Sequence, residues 1–246
     1  MRCAAIVRAD FPHLKPSRPS IKFSQRSSRV VARSSVRDAD VAAAMESFAA
    51  KYRVPVEEIQ QEVDVIESAG KGVYLEDSWG GSFAQKATTD LRQFEPGSTV
   101  TLARLSFNTW QPNEMKVKLT GGLQIKGDWD GVPNMYRVDT TFVTPDGIEG
   151  VSATVGEFSR NEKIDNRIDI AFTRLELRPP AGITEEGLAK WKETFQEANP
   201  TMDEGGSVVV EIPPAKGHLD ILYMDNDIHI TRGNLGTVAM VERIKS

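Results

Sequence analysis

The stretch GHLDILYMDNDIHITRGNLGTVAMVER, from Gly217 to Arg243, decides the fold. It holds three short strand-like runs, 217–224, 227–231 and 235–243. Asp225-Asn226 parts the first pair and Gly233-Asn234 the second. Asn and Gly accept the positive backbone angles of tight hairpins, so the stretch predicts an antiparallel meander. Strict alternation puts Leu219, Ile221 and Tyr223 on one face of the first strand and Asp220 on the other.

The same grammar extends towards the N-terminus. Strands are predicted at 98–109, 114–126, 134–144, 147–158 and 164–177, with another at 206–211 that Pro213-Pro214 separates from the meander. Met115, Val117 and Leu119 alternate with Lys116, Lys118 and Thr120, which gives one buried and one wet face. Asp128-Trp129-Asp130-Gly131 and Pro145-Asp146-Gly147 read as turns. A helix is predicted over 185–198, capped by Thr184, stapled by Ile183 and Leu188, and ended by Asn199-Pro200. Leu188, Trp191 and Phe195 form its buried face.

Two helices are predicted ahead of the strands. Asp38 or Asp40 caps the first, whose apolar face is Val41, Met45, Phe48 and Tyr52. Pro55 opens the second, whose face is Val56, Ile59, Val63 and Ile66, and Gly70 and Gly72 stop it. Helices that lie on membranes tend to be basic, whereas the second carries Glu57, Glu58, Glu62, Asp64 and Glu67. Its apolar face is therefore expected against the sheet. Residues 73–79 read as a strand, with turns at Gly80-Gly81 and Glu95-Pro96-Gly97.

The predicted class is mainly β with short helices (α+β). It is an antiparallel barrel of about eight to nine strands, with two N-terminal helices (38–70) and one helix before the last strands. Spacing does not give strand order, so a two-sheet sandwich is the alternative. Residues 38–246 make one domain.

Residues 1–37 carry nine Lys or Arg against one acid, Asp10, among serines and prolines. This is the composition of an organelle transit peptide, with cleavage expected near Ala32. The chain has 30 basic and 35 acidic residues, so 21 and 34 remain beyond the leader. A body that acidic has no electrostatic attraction for nucleic acid. No run approaches the roughly 18 apolar residues of a spanning helix.

Catalytic and metal chemistry finds little footing. The only cysteine, Cys3, lies in the leader, which leaves the body without thiolate sites. Beyond His13 in the leader, the body has His218 and His229, with Asp220, Asp225 and Asp227 nearby. As a calcium loop the stretch fails, since Ile230 and Gly236 occupy the positions that need Gly and Glu. Ser82 lacks a nucleophile elbow. No catalytic residue, metal or cofactor is predicted.

Gly217, Leu219, Asp220, Tyr223, Asp225, Asp227, Ile230, Arg232, Gly233 and Gly236 resemble the C-terminal end of the plastid lipid-associated proteins, the fibrillins of plastoglobules and thylakoids. With the leader, the resemblance implies a chloroplast protein at the stroma, the stromal thylakoid face or the plastoglobule. It implies a lipocalin-like barrel that binds a hydrophobic small molecule or lipid non-covalently, inside or at its rim. Isoprenoid quinones, carotenoids and thylakoid lipids are the implied ligands, with peripheral contact to a thylakoid or plastoglobule surface. Expected ligand residues are Arg104, Trp110, Tyr136, Asp220, Tyr223 and Arg232, with Phe107 and Phe142 as further lining. An Asp220–Arg232 ion pair would pin the meander or orient a head group. Gly217, Asp225, Gly233 and Gly236 are structural residues of the motif. Arg137, Arg167 and Arg174 also fall in predicted strands. Two other classes stay open: a scaffold for a thylakoid complex with a filled barrel, and an isoprenoid-processing enzyme with inward polar residues.

Overall fold

Among the described residues, nine strands form one antiparallel sheet that closes on itself. They are β1 (Gly81–Thr88), β2 (Thr99–Thr101), β3 (Lys116–Trp129), β4 (Val132–Val143), β5 (Glu149–Arg160), β6 (Arg167–Arg178), β7 (Val208–Met224), β8 (Ile228–Gly233) and β9 (Val238–Arg243). The order is β1-β9-β8-β7-β6-β5-β4-β3-β2, and β1 also pairs with β3. Eight strands thus form a barrel, and β2 adds to the edge of β3. Closure pairs the two end strands over Gly81–Ala84 and Leu123–Lys126, which a sandwich would not do. The structure is a computed structural model and describes residues 39–70, 76–91, 95–106, 108–129 and 131–245. The basic leader, the Asp38 cap, Gly72, residues 73–75, Phe107 and Asp130 lie outside these.

Three strand expectations are corrected. The predicted strand 98–109 ends at Thr101, and Leu102–Leu105 is a 3-10 turn. The runs at 206–211 and 217–224 are one strand, β7, which passes through Pro213-Pro214. Its register against β6 jumps from Phe172↔Ala215 to Arg174↔Glu211. The prolines lie in that bulge, where the ladder does not need their missing N–H groups. The stretch Glu76–Trp79 is a helical turn rather than a strand, and β1 follows where only a turn was expected. Gly81 starts β1 with φ +126°, a conformation that L side chains rarely adopt.

The helices serve different faces. Helix α1 (Ala39–Lys51) buries Val41, Met45 and Phe48, as the spacing predicts. A 3-10 turn at Val56–Glu58 leads into α2 (Gln60–Gly70), which buries Val63 and Ile66. Both pack on the outer side of β7–β9 and β1, against Ala87, Leu222, Ile230, Val238 and Met240. Gly70 ends α2 hard against β7: a Cβ there would lie 2.1 Å from the Leu222 carbonyl oxygen. The short helical turn at Glu76–Trp79 is α3.

Helix α4 (Glu185–Phe195) instead closes one end of the barrel. Thr184 caps it by accepting from the Gly187 N–H. Trp191 and Phe195 are fully buried with Trp110, Leu119, Phe142, Leu175, Leu177 and Val208. Near the other end Trp79, Tyr136, Ile168, Ile170, Ile221 and Met224 form a second interior cluster. No helix among the described residues is long and apolar enough to cross a membrane.

A cavity at the barrel seam and a buried lysine

The interior of the barrel is set by a bulge in β3. Register against β4 jumps from Leu119↔Phe142 to Gly121↔Thr141, which leaves Thr120 as an extra residue. Val117 and Leu119 point inward, into the cluster around Trp110 and Phe142. One extra residue exchanges the faces of everything after it, so Gly122, Gln124 and Lys126 point inward too. Unbroken alternation puts Lys126 with Lys116 and Lys118 on the wet face. Two glycines inside a strand pattern, Gly121-Gly122, are the sequence signal of such a bulge.

Between the two interior clusters lies a cavity of 370 Å³. Its wall includes Gln85, Leu119, Gln124, Val138, Thr140 and Thr154. Backbone of Gly121 and Gly122 completes the wall where no side chain occupies space. The cavity follows a gap in the seam. The pairing of β1 with β3 ends at Ala84↔Leu123, and beyond it the two strands diverge. Tyr52, Pro96, Arg104 and Leu105 fill in around the gap. Tyr52 is tied to one lip, where its carbonyl accepts from the Thr88 N–H. The Gly97 N–H binds the Leu119 carbonyl on the other lip. Tyr52 leaves α1 with φ 51°, an uncommon conformation for this residue type. Burial, then Glu95, raises its pKa.

Beyond Gln124 the interior is polar. Tyr136, 3% exposed, donates its hydroxyl to Gln124 Oε1 at 3.0 Å. Burial raises the Tyr136 pKa, so the phenol stays a donor. One rung further in, Lys126 is 1% exposed. Its Nζ lies 4.2 Å from the Trp79 ring centroid, 4.7 Å from Phe83 and 5.8 Å from Tyr136. Its hydrogen-bond partner is His229 Nδ1 at 3.3 Å. Burial, then the positive charge of Arg243, brings the Lys126 pKa down to about 7. Burial, then Lys126 and Arg243, holds His229 neutral, its pKa down to about 2. Its ring stacks on Trp79 at 5.7 Å with 4° between planes.

The expected site residues divide. Arg104 lies on the cavity wall, but it is an exposed residue of the 3-10 turn rather than of a strand. Tyr136 lies outside the cavity wall, in the second interior cluster, and reaches the site only through its hydrogen bond to Gln124. Trp110 and Phe142 are in the closing cluster, where the Trp110 indole donates to Ser152 Oγ at 2.8 Å. Asp220 and Arg232 stand opposite each other in β7 and β8, yet each binds elsewhere. Asp220 takes a two-pronged bond from Arg167 at 2.6 and 2.9 Å, which lowers its pKa. Arg232 reaches Glu67 of α2 at 2.9 Å. The expected ion pair is therefore replaced by two pairs, one with the neighbouring strand and one with the helix.

Tyr223 is also corrected. A bulge at Leu222 separates Ile221↔Thr231 from Tyr223↔Ile230. Ile221 faces inward, whereas Tyr223 packs with α1 and α2 and donates to Asp225 Oδ2. Asp225 shapes the turn by accepting from the Asp227 and Ile228 N–H groups. Gly236 holds φ +81° in the last hairpin, Gly233 closes it by donating to the Thr237 carbonyl, and Gly217 sits under Asn234. The two body histidines part: His218 pairs in register with Asp169 on the outer face, and His229 is inside. Arg137 and Arg174 point outward to Asp139 and Glu176. Among the described residues, no group of three His, Cys, Asp or Glu is placed to hold a metal. Comparisons with family models, with curated proteins and with solved structures return no match.

Proposed function

We propose that this chain is a fibrillin-like, plastid lipid-associated protein whose barrel takes the polar head of a hydrophobic small molecule without covalent chemistry. The cavity at the β1–β3 seam carries the reading. A void of 370 Å³ sits at the low end of small-molecule sites, enough for a ring-sized head and the start of a chain. Its amides and hydroxyls, Gln85, Gln124, Thr140 and Thr154, suit carbonyl and hydroxyl oxygens better than bare hydrocarbon. Among the ligands that the family resemblance implies, an isoprenoid quinone fits this lining better than a carotenoid. The head enters past Tyr52 and Arg104, and the tail stays at the seam.

Contact with a thylakoid or plastoglobule surface belongs to the same reading. Trp129 and Ile164 are exposed beside the β3–β4 and β5–β6 hairpins, which an antiparallel meander brings to one end of the barrel. Tryptophan is at home at a lipid–water boundary. The leader's composition supports a chloroplast destination. Solvent extraction of protein purified from chloroplasts, followed by mass spectrometry, tests the proposal. A quinone or polar lipid in near-stoichiometric amount is expected. Protein that carries no lipid and takes up no plastoquinone from vesicles overturns it.

The extent of interior filling favours a second reading, a scaffold for a thylakoid complex. Trp110, Trp191, Phe142 and Phe195 pack one end solidly. Co-purification with a photosynthetic complex, together with no lipid uptake, would select that reading.

A further inference from the structure

Lys126 is the charged-type group of the interior that ligand binding by the seam cavity leaves unused. Its side chain is enclosed by Trp79, Phe83 and Tyr136, and no carboxylate pairs with it among the described residues. An isolated ammonium in such a place is costly, so a lysine there is stable mainly as the amine. Arg243 adds to this. Its guanidinium is held over the Phe83 ring by the carbonyls of Ser78, Gly80 and Asn226, which keeps a fixed positive charge nearby. Desolvation beside a second cation is how a lysine becomes a nucleophile. The hydrogen bond to His229 Nδ1 fixes the direction of the amine. Along β3, Lys126 is about 7 Å, two residues, beyond Gln124, which lines the cavity. The Tyr136–Gln124 hydrogen bond is the polar contact between the two levels.

We propose that Lys126 is an imine-forming lysine, which condenses with the aldehyde or ketone of an apolar ligand seated in the seam cavity once the Tyr136–Gln124 hydrogen bond opens. The inference rests on the cavity being a ligand site. In the step, the Nζ lone pair forms a C–N bond to the carbonyl carbon. The two N–H protons leave with the carbonyl oxygen as water, and C=N replaces C=O. No oxidant, reductant or second substrate is consumed. His229, with its conjugate acid suppressed, orients the amine and is not the base. At neutral pH an amine with a pKa of about 7 is half unprotonated. That neutral fraction is roughly a thousandfold larger than for an ordinary lysine.

The test incubates the full chain with citral, an isoprenoid aldehyde, traps imines with cyanoborohydride, and maps adducts by peptide mass spectrometry across pH. Geraniol, the matching alcohol, is titrated separately by tryptophan fluorescence. The expected result is one adduct on the peptide that contains Lys126, half-maximal near pH 7 and absent from Lys126→Met. Lys126→Met keeps the exposed Lys116 and Lys118 and so supplies the background labelling against which the Lys126 adduct is counted. Adducts confined to exposed lysines, the same in Lys126→Met, overturn the proposal. Geraniol binding then separates the two failures: if it persists, only the imine falls, and if it is lost, the cavity reading falls as well. Should Lys126→Met fail to fold, the peptide map of the unaltered chain decides alone.

Discussion

The outer face of β4–β6 and the inner end of the barrel both bury charge, and they treat it in opposite ways. Outside, Arg137 lies between Asp139 and Glu176, Arg178 reaches Asp139, and Arg174 reaches Glu176. Each charge there has an opposite partner in hydrogen-bond range. Even so, burial raises the Asp139 pKa against the pull of Arg137 and Arg178, so pairing only partly offsets desolvation. Inside, Lys126 has an imidazole and aromatic rings and no acid among the described residues. A network of matched charges is a way to build a sheet. A lone amine in an aromatic enclosure weakens the fold, and that cost has a purpose only if the amine is used.

The contrast breaks most visibly at Asp139. Asp139→Ala strands Arg137 and Arg178, and a loss of about 3 kcal/mol is expected in urea unfolding. A loss under about 1 kcal/mol would mean that the outer network is not structural. Lys126→Met is expected to do the reverse, stabilising the fold by about 1–4 kcal/mol at pH 7, since methionine fills the aromatic enclosure without the desolvation cost of the amine. Destabilisation on that scale would show that Lys126 is a packing element with hidden partners.

The pH dependence sharpens the same point. The folded Lys126 gives up its proton near pH 7, and the unfolded chain keeps it to about 10.4. Between these values the unfolded state binds the extra proton, so stability rises with pH, by at most about 1.4 kcal/mol per unit from this group. Lys126→Met should flatten the rise between pH 7 and 10. His229 acts in the same direction lower down: its folded pKa is depressed, so stability falls as pH drops below about 6.5. The smallest effect belongs to the outer Arg167–Asp220 pair, whose side chains are a quarter exposed. Asp220→Asn is expected to cost less than about 1 kcal/mol in thermal melts.

Much of the fold was legible in the chain because period-2 alternation and turn residues are local signals. The meander from Gly217, the Thr184-capped helix and the apolar faces of α1 and α2 all follow from such signals. What failed was parity. The extra residues at Thr120 and Leu222 swap inside for outside, and alternation counted without them hides Lys126 and misplaces Tyr223. Partner choice failed for a related reason. Asp220 and Arg232 are adjacent in register, but Arg167 and Glu67 compete for them from elements distant in sequence. Of the candidate site, Arg104 was found as a polar residue near a strand, and Tyr136 stands one hydrogen bond behind the wall. Gln85, Gln124 and Thr154 carry no sequence mark, since only barrel closure brings β1 to β3 and gathers them.

Gly122 offers the most direct test of the seam cavity. It points inward at the cavity wall, and a Cβ there would meet nothing nearer than the Asp139 carbonyl oxygen at 3.7 Å. Leucine at this position should therefore fill the void without disturbing the strand. Decylplastoquinone binding is measured by tryptophan quenching for the unaltered chain and for Gly122→Leu, with melting curves for both. Saturable binding to the unaltered chain is expected, with binding weakened by about tenfold or more in the variant and thermal stability unchanged or raised. Equal binding by the two proteins, or none by either, would contradict it.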